Sequence, residues 1–188
     1  MTPLFRFRAG APAVLLWALA YFFDDMGLIA ALLPAVAVHE LGHAAVLRRC
    51  GARVTGLELE LTGLRMDYAG PLSPGEEALA ALAGPLAGLG WTLLARALPG
   101  TYFHRSAAAS LCLTALNLLP VLPLDGGRAL SALAGERRAG TVSRCCAALF
   151  TAAGAAAALL GRSSLILPAA GLWLWMRNRG GYTAKRSS

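Results

Sequence analysis

Six apolar runs, separated by short polar or Pro/Gly-rich breaks, organise the chain: roughly residues 10–23, 28–47, 78–95, 107–124, 145–161 and 163–176. A helix that crosses a bilayer needs about 20 mostly apolar residues, with a usual range of about 17–25. The four middle runs meet that length, and the first and last, at 14 residues each, are short. The breaks carry turn chemistry: Asp24-Asp25, Pro71 to Gly75, Pro99-Gly100, Gly135 to Arg138 and Gly161-Arg162. The pattern predicts an all-α integral membrane protein of about six transmembrane helices, a single membrane-embedded domain over residues 1–188. One stretch, Gly51 to Pro74, is too polar to span and changes period. Val54, then Leu57, Leu59 and Leu61, alternate with Glu58 and Glu60, and Leu64, Met66 and Tyr68 alternate with Arg65 and Asp67. A period of two is the strand signal. A small β-hairpin turning near Thr62-Gly63 is therefore predicted between the second and third helices.

Composition agrees. Of 188 residues, 57% are apolar and 14% charged, with a mean hydropathy of +0.58; soluble domains run near 45–50% apolar and about 25% charged. A net charge of +7 raises nucleic acid as a partner, but the basic residues lie scattered between apolar runs, so the partner they imply is the lipid bilayer. With a cytoplasmic N-terminus and six spans, thirteen Lys and Arg fall on cytoplasmic segments and three (Arg96, Arg105, Arg162) on exterior ones. Positive charge is retained inside; both termini are expected to be cytoplasmic. Arg6 and Arg8 ahead of an apolar stretch ending Ala18-Leu-Ala20 resemble a signal peptide. The apolar run continues through Tyr21-Phe22-Phe23, which favours a retained first span. Cys50, Cys112, Cys145 and Cys146 show no C-x-x-C spacing and read as packing residues or reduced thiols.

The second run contains His39-Glu40-Leu41-Gly42-His43, an H-E-x-x-H motif. Residues four apart share a helical face, so both imidazoles can reach one ion, with Glu40 beside the first as general base toward water. Chance occurrence in this composition is on the order of 0.002. Three ionisable groups on one turn at membrane depth mark a functional site by default, since each costs about 2.5–3.5 kcal/mol to insert. The competing reading is two packed histidines with an ion-paired glutamate. The fourth run ends Asn117-Leu-Leu-Pro120-Val-Leu-Pro123-Leu-Asp125-Gly126-Gly127-Arg128, and Asp125 is the only carboxylate between Glu77 and Glu136. It can complete a His₂Asp zinc set with one open position. The glutamates downstream of the motif (Glu58, Glu60, Glu76, Glu77, Glu136) lie outside the apolar spans, so Asp125 is the preferred third ligand. Both motifs fall in the cytoplasmic half of the bilayer in this orientation, where they can meet. Pro120 and Pro123 interrupt the helical ladder, and since non-helical backbone at such depth must be buried in protein or line a wet cavity, the distorted segment predicts an aqueous pocket inside the bundle.

These motifs resemble the site-2 protease family of intramembrane zinc metalloproteases, peptidase family M50, and in particular the small branch containing the stage IV sporulation protein FB. The family's signatures, H-E-x-x-H and a later N-x-x-P-x-x-x-L-D-G, are matched by HELGH and NLLPVLPLDGG, and Ala83-Gly84-Pro85-Leu86 resembles its third-helix segment. The resemblance implies one zinc per chain held by His39, His43 and Asp125, with Glu40 as catalytic base. It implies that Asn117 binds the substrate backbone or the developing oxyanion, and that the hairpin pairs with extended substrate. The substrate implied is a membrane-tethered protein cut within or next to its transmembrane segment. Many relatives carry a PDZ or CBS domain. Here the last run ends near Met176 with a 12-residue basic tail, so neither domain is expected, and control falls to a regulatory membrane partner or to none.

Other features have plainer readings. Gly84 and Gly88 form G-x-x-x-G, best explained by close helix packing. Arg128 is read as snorkelling to the interface rather than orienting Asp125. Asp24 and Asp25 cap a turn, His104 is a solvated loop residue, and Trp91, Trp173, Trp175 and Tyr182 suit interfacial belts. The rival function is non-enzymatic: a zinc carrier, or an inactive homologue that binds transmembrane partners. A carrier has no need of a base that is not a ligand, and an inactive homologue would have lost Glu40 or a ligand.

Overall fold

The structure, a computed structural model, describes residues 6–60, 63–161 and 166–179. Leu61 and, of the expected turn at Thr62-Gly63, Thr62, together with the loop residue Arg162 and Tyr182, Lys185 and Arg186 of the tail, lie outside the described residues. The elements run β1 (Arg6–Ala9), α1 (Ala11–Phe22), α2 (Leu28–Arg49), β2 (Arg53–Glu60), β3 (Gly63–Ala69), α3 (Pro74–Ala97), α4 (Thr101–Asn117), α5 (Asp125–Ala134), α6 (Glu136–Leu159) and α7 (Ile166–Arg179). The protein is mostly helical. Among the described residues α2, α3 and α6 are long and apolar enough to cross a membrane. The helices on the first and last runs are shorter, at 12 and 14 residues. The expected span 107–124 is redrawn: its helix begins earlier, at Thr101, and stops at Asn117, where Pro120 and Pro123 cannot continue the ladder. The run 145–161 gains nine residues at its start, because Glu136 and the arginines behind it sit on the first turns of α6.

Helix α3 is central, packing against α2, α4 and α5. All of its buried residues are Ala, Gly or Pro (Ala78, Ala80, Ala81, Ala83, Gly84, Pro85, Gly88, Ala95). Lipid tails are as apolar as leucine, so helices gain little by hiding large side chains from them; small residues let backbones approach and pack. A β-carbon on Gly42 of α2 would lie 2.5 Å from the Ala83 carbonyl oxygen of α3, which shows how closely the two cross. Ser73 starts α3 with a reciprocal cap: its hydroxyl accepts the Glu76 N–H at 3.3 Å, and the Glu76 carboxylate accepts the Ser73 N–H at 2.8 Å. In the turn ahead of α2, Asp24 accepts the Ile29 N–H at 2.6 Å, and the backbone donors of Ile29 and Leu28 hold its carboxyl below the usual range. Pro34 within α2 leaves the Ala30 carbonyl without its helical donor. The Tyr102 hydroxyl of α4 donates to that oxygen at 3.2 Å.

The hairpin forms as predicted, β2 antiparallel to β3, with Val54 opposite Tyr68, Leu57 opposite Met66 and Leu59 opposite Leu64. The phase break between Val54 and Leu57 has a cause: a register shift between Val54 and Gly56 inserts one residue. Glu58 faces Arg65 across the strands, with Arg65 Nη2 2.5 Å from Glu58 Oε2. The sheet has a third strand that the apolar pattern does not announce. β1 pairs in parallel with β2, Phe7 beside Leu57, giving the order β1-β2-β3. Gly56 admits it, since a β-carbon there would lie 2.8 Å from the Arg6 carbonyl oxygen. The sheet packs on the end of α2 through Leu47, Ala52 and Ala80, with Val54, Met66 and Tyr68 around them. Gly56→Ala is expected to loosen β1 at a cost of about 1–3 kcal/mol, seen as roughly 5- to 150-fold faster amide exchange over residues 6–9. Exchange in β3 should stay unchanged; an unchanged β1 would show that the strand does not depend on this close approach.

Candidate metal centre

On α2 the buried residues are Ala31, Ala35, His39, His43 and Leu47, a stripe repeating every four positions. Both histidines of the motif therefore face the bundle and not lipid. Two glycines of α3 make room for them. A β-carbon on Gly84 would lie 2.2 Å from His43 Nε2, and one on Gly88 would lie 3.8 Å from His39 Nδ1. The G-x-x-x-G motif does pack helices closely, and it also houses the imidazoles. Asp125 arrives from elsewhere. It is the first residue of α5, after the irregular segment 118–124, which includes a cis Leu122–Pro123 peptide. Val121 and Leu122 are buried, and the Leu122 N–H donates to Ser143 Oγ of α6 at 2.9 Å. Gly126 and Gly127 let α5 begin directly against this segment: their β-carbons would lie 2.3 Å from the Leu118 carbonyl oxygen and 2.5 Å from the Leu122 nitrogen. The irregular backbone is thus packed in protein, one of the two conditions that make it tolerable at depth.

The three side chains meet. His39 Nε2 lies 3.0 Å from Asp125 Oδ2, His43 Nε2 lies 3.3 Å from the same oxygen, and the two Nε2 atoms are 3.1 Å apart. All three side chains are at most 8% exposed. His43 Nδ1 donates to the Ala80 carbonyl oxygen at 2.7 Å. The neutral ring then carries its lone pair on Nε2, aimed at the cluster. Asp125 Oδ2 is an acceptor as well. One proton on His39 Nε2 can satisfy only one of these two neighbours, while His39 Nδ1 is buried with no described residue bonded to it. A cation accepted by three converging electron pairs resolves the arrangement. Two imidazoles and a carboxylate with ligand atoms within 4.8 Å of one another fit zinc, with a coordination position left over. A ligand histidine usually donates its other ring N–H to a backbone carbonyl, as His43 does.

Glu40 stands next to His39, half-buried, within electrostatic range of both imidazoles, Asp125 and Arg128. Arg128 differs from expectation: Nη1 lies 3.4 Å from Asp125 Oδ1, so the arginine steadies the oxygen that faces away from the histidines. Asn117 ends α4, half-buried, and its Nδ2 donates to the Leu113 carbonyl at 3.0 Å, so it is not part of the three-residue cluster. Trp91 is no simple belt residue, since its indole N–H donates to buried Ser106 at 2.9 Å across the α3–α4 contact. His104 sits exposed on the first turn of α4 instead of in a loop, and the four cysteines are free. The Ala80 carbonyl and the hydroxyls of Ser106, Ser110 and Thr114 are contacts that the motifs do not announce. A four-residue spacing of small hydroxyls on an apolar helix was the available signal for the latter.

The model for peptidase family M50 matches residues 70–161, a stretch that holds Asn117 and Asp125. Rip3 of Mycobacterium tuberculosis, classed as a zinc metalloprotease and found in two strains, is 34% identical over 182 residues. The alignment covers 87% of this chain and 42% of Rip3, so the chain spans less than half the length of the curated relatives it matches. The chain is thus similar to peptidase family M50 over residues 70–161 and to Rip3 over most of its own length. Its fold is that of the site-2 protease from Methanocaldococcus jannaschii, with a TM-score of 0.63 at 19% identity, covering 100% of this chain and 95% of that one. The likeness to this family and the apolar helices together point to an integral membrane protein. In this chain, Gly84→Ala is expected to push the His43 imidazole out of place and to reduce bound zinc from about one per chain to a small fraction. Gly90→Ala, on the same helix with nothing within 4 Å of the added carbon, should keep it. Metal analysis of the purified proteins decides, and equal zinc in both would show that Gly84 does not shape the centre.

Proposed function

We propose that this chain is a zinc-dependent intramembrane endopeptidase that hydrolyses peptide bonds within or next to transmembrane segments of membrane-tethered proteins. The observation that carries the reading is the buried convergence of His39, His43 and Asp125 with Glu40 beside it. His39 and His43 would hold the zinc through Nε2 and Asp125 through Oδ2. Zinc bound there supplies Lewis acidity toward a carbonyl and toward water. Glu40 takes a proton from the attacking water and returns it to the leaving amine. Arg128 and the Ala80 carbonyl keep Asp125 and His43 aimed. Asn117 turns its amide from Leu113 to the substrate backbone and steadies charge as the carbonyl is attacked.

A spanning helix satisfies its own amides, so a substrate must unwind locally before attack. An extended segment needs backbone partners, and the sheet offers them. One edge of β2 is already occupied by β1, so we assign substrate addition to the outer edge of β3. A six-crossing arrangement with both termini cytoplasmic and the centre in the cytoplasmic half of the bilayer accounts for the distribution of basic residues. Separate membrane partners would supply any regulation.

The test is zinc content and cleavage of a panel of single-span membrane proteins by wild type, Glu40→Gln, Asp125→Ala and Asn117→Ala. Glu40→Gln should keep zinc and lose about 10²–10⁴-fold in cleavage rate. Asp125→Ala should lose the metal, and Asn117→Ala should keep it while losing about 10²–10³-fold. Wild type that holds zinc while Glu40→Gln cleaves equally well would overturn the role of Glu40. Zinc binding without cleavage of any panel member would favour the non-enzymatic zinc-binding alternative.

A further inference from the structure

The two histidines are not held alike. His43 is fixed through Nδ1 by the Ala80 carbonyl, whereas His39 Nδ1 is buried and has no partner among the described residues. An imidazole that presents Nε2 to a metal is oriented by whatever receives its Nδ1–H. The neighbourhood of that nitrogen answers what does so. Where Gly88 lacks a side chain, a β-carbon would lie 3.8 Å from His39 Nδ1, 2.6 Å from Thr114 Oγ1 and 3.6 Å from Ser110 Oγ. Three polar atoms thus border one small space.

Both hydroxyls are buried, and both have their protons committed elsewhere. Ser110 donates to the Gly88 carbonyl at 2.8 Å and Thr114 to the Pro85 carbonyl at 3.5 Å. A hydroxyl that donates its proton keeps lone pairs to accept with. Serine and threonine within helices commonly bond back to their own preceding turn. These two reach across to α3 and so carry their oxygens toward the centre. A polar separation beyond about 3.5 Å can be bridged by one water where two to four polar groups border it, and three border the Gly88 position.

We propose that Thr114 is a positioning residue for His39: the Thr114 hydroxyl, joined by Ser110 at the Gly88 gap, receives the His39 Nδ1–H through one bridging water and so directs Nε2 to the metal. This rests on the His39–His43–Asp125 zinc reading. It separates Thr114 from Ser106 on the same stripe, whose hydroxyl accepts the Trp91 indole and serves the helix contact alone.

The experiment uses the full chain in detergent micelles, with zinc affinity from chelator competition and the visible ligand-field spectrum of the Co²⁺-loaded protein. Thr114→Val, which keeps shape and removes the hydroxyl, should weaken zinc binding about 10- to 100-fold and shift the Co²⁺ bands. Thr114→Ser should restore both. Gly88→Ala, which fills the gap with Thr114 intact, should reproduce the loss, and Ser106→Ala should leave affinity and spectrum unchanged. If wild type binds zinc and Thr114→Val matches it in affinity and spectrum, the positioning role is overturned while the centre stands. If Thr114→Ser is as impaired as Thr114→Val, Thr114 serves packing only and the proposal fails. If wild type binds neither zinc nor Co²⁺, the centre itself fails and this role with it.

Discussion

Three electron-pair donors brought to within about 3 Å of one another inside an apolar bundle repel unless a proton or a cation lies among them. The rest of the architecture follows from that constraint. His43 is fixed by the Ala80 carbonyl with its lone pair turned inward, and Asp125 turns one oxygen to the histidines and the other to Arg128. Without a cation the cluster has acceptors left over, and with one every ligand atom is engaged. A pair of packed histidines with an ion-paired glutamate does not describe this geometry. The carboxylate paired with the imidazoles is Asp125, 86 residues from His39, and not the adjacent Glu40. Glu40 stands outside this cluster, beside its first histidine.

Such a cluster needs helices whose backbones come close, which is why α3 buries only small residues. Gly84 and Gly88 are set one turn apart, as are His39 and His43, so each imidazole meets a position with no side chain. Gly42 lets α2 approach α3 from the other side of the contact. Ala80 joins two tasks: its carbonyl holds His43, and its methyl packs with Leu47 and the sheet. The next residue, Ala81, packs toward α5 with Ala129. One helix thereby fixes the distances between the α2 histidines, Asp125 of α5 and the sheet.

Much of this was legible in the chain because it is local. The H-E-x-x-H spacing places two imidazoles on one face, and alternation from Leu57 through Tyr68 specifies a hairpin regardless of its surroundings. The middle runs gave helices for the same reason. What failed to show is non-local. β1 is four residues of exposed backbone, and only the edge of β2 makes it a strand. The interruption itself was legible from Pro120 and Pro123, but its start at Asn117 was not, since the apolar run continues unchanged past that residue. The Gly84–Gly88 pair was visible as a motif, but its second use depends on which residues stand opposite, and sequence spacing does not contain that. Arg128 was misjudged similarly. A long cation at a helix start can reach lipid or its own turn, and here Asp125 three residues back provides the nearer partner.

The irregular segment 118–124 is where local and non-local demands meet. A continuous helix through these residues would satisfy its backbone more simply, yet it would carry Asp125 about 12 Å further along the same axis, at about 1.5 Å per residue over the eight residues from Asn117. Ending α4 at Asn117 and restarting at Asp125 brings the carboxylate to the first turn of a new helix, where the partial positive charge of the free N–H groups favours an anion. The stretch between them is stabilised by the Ser143 hydroxyl of α6 and by two glycines that allow α5 to press against it. Two prolines that look like faults in a spanning helix are therefore what allows the Asp125 carboxylate to reach the two histidines.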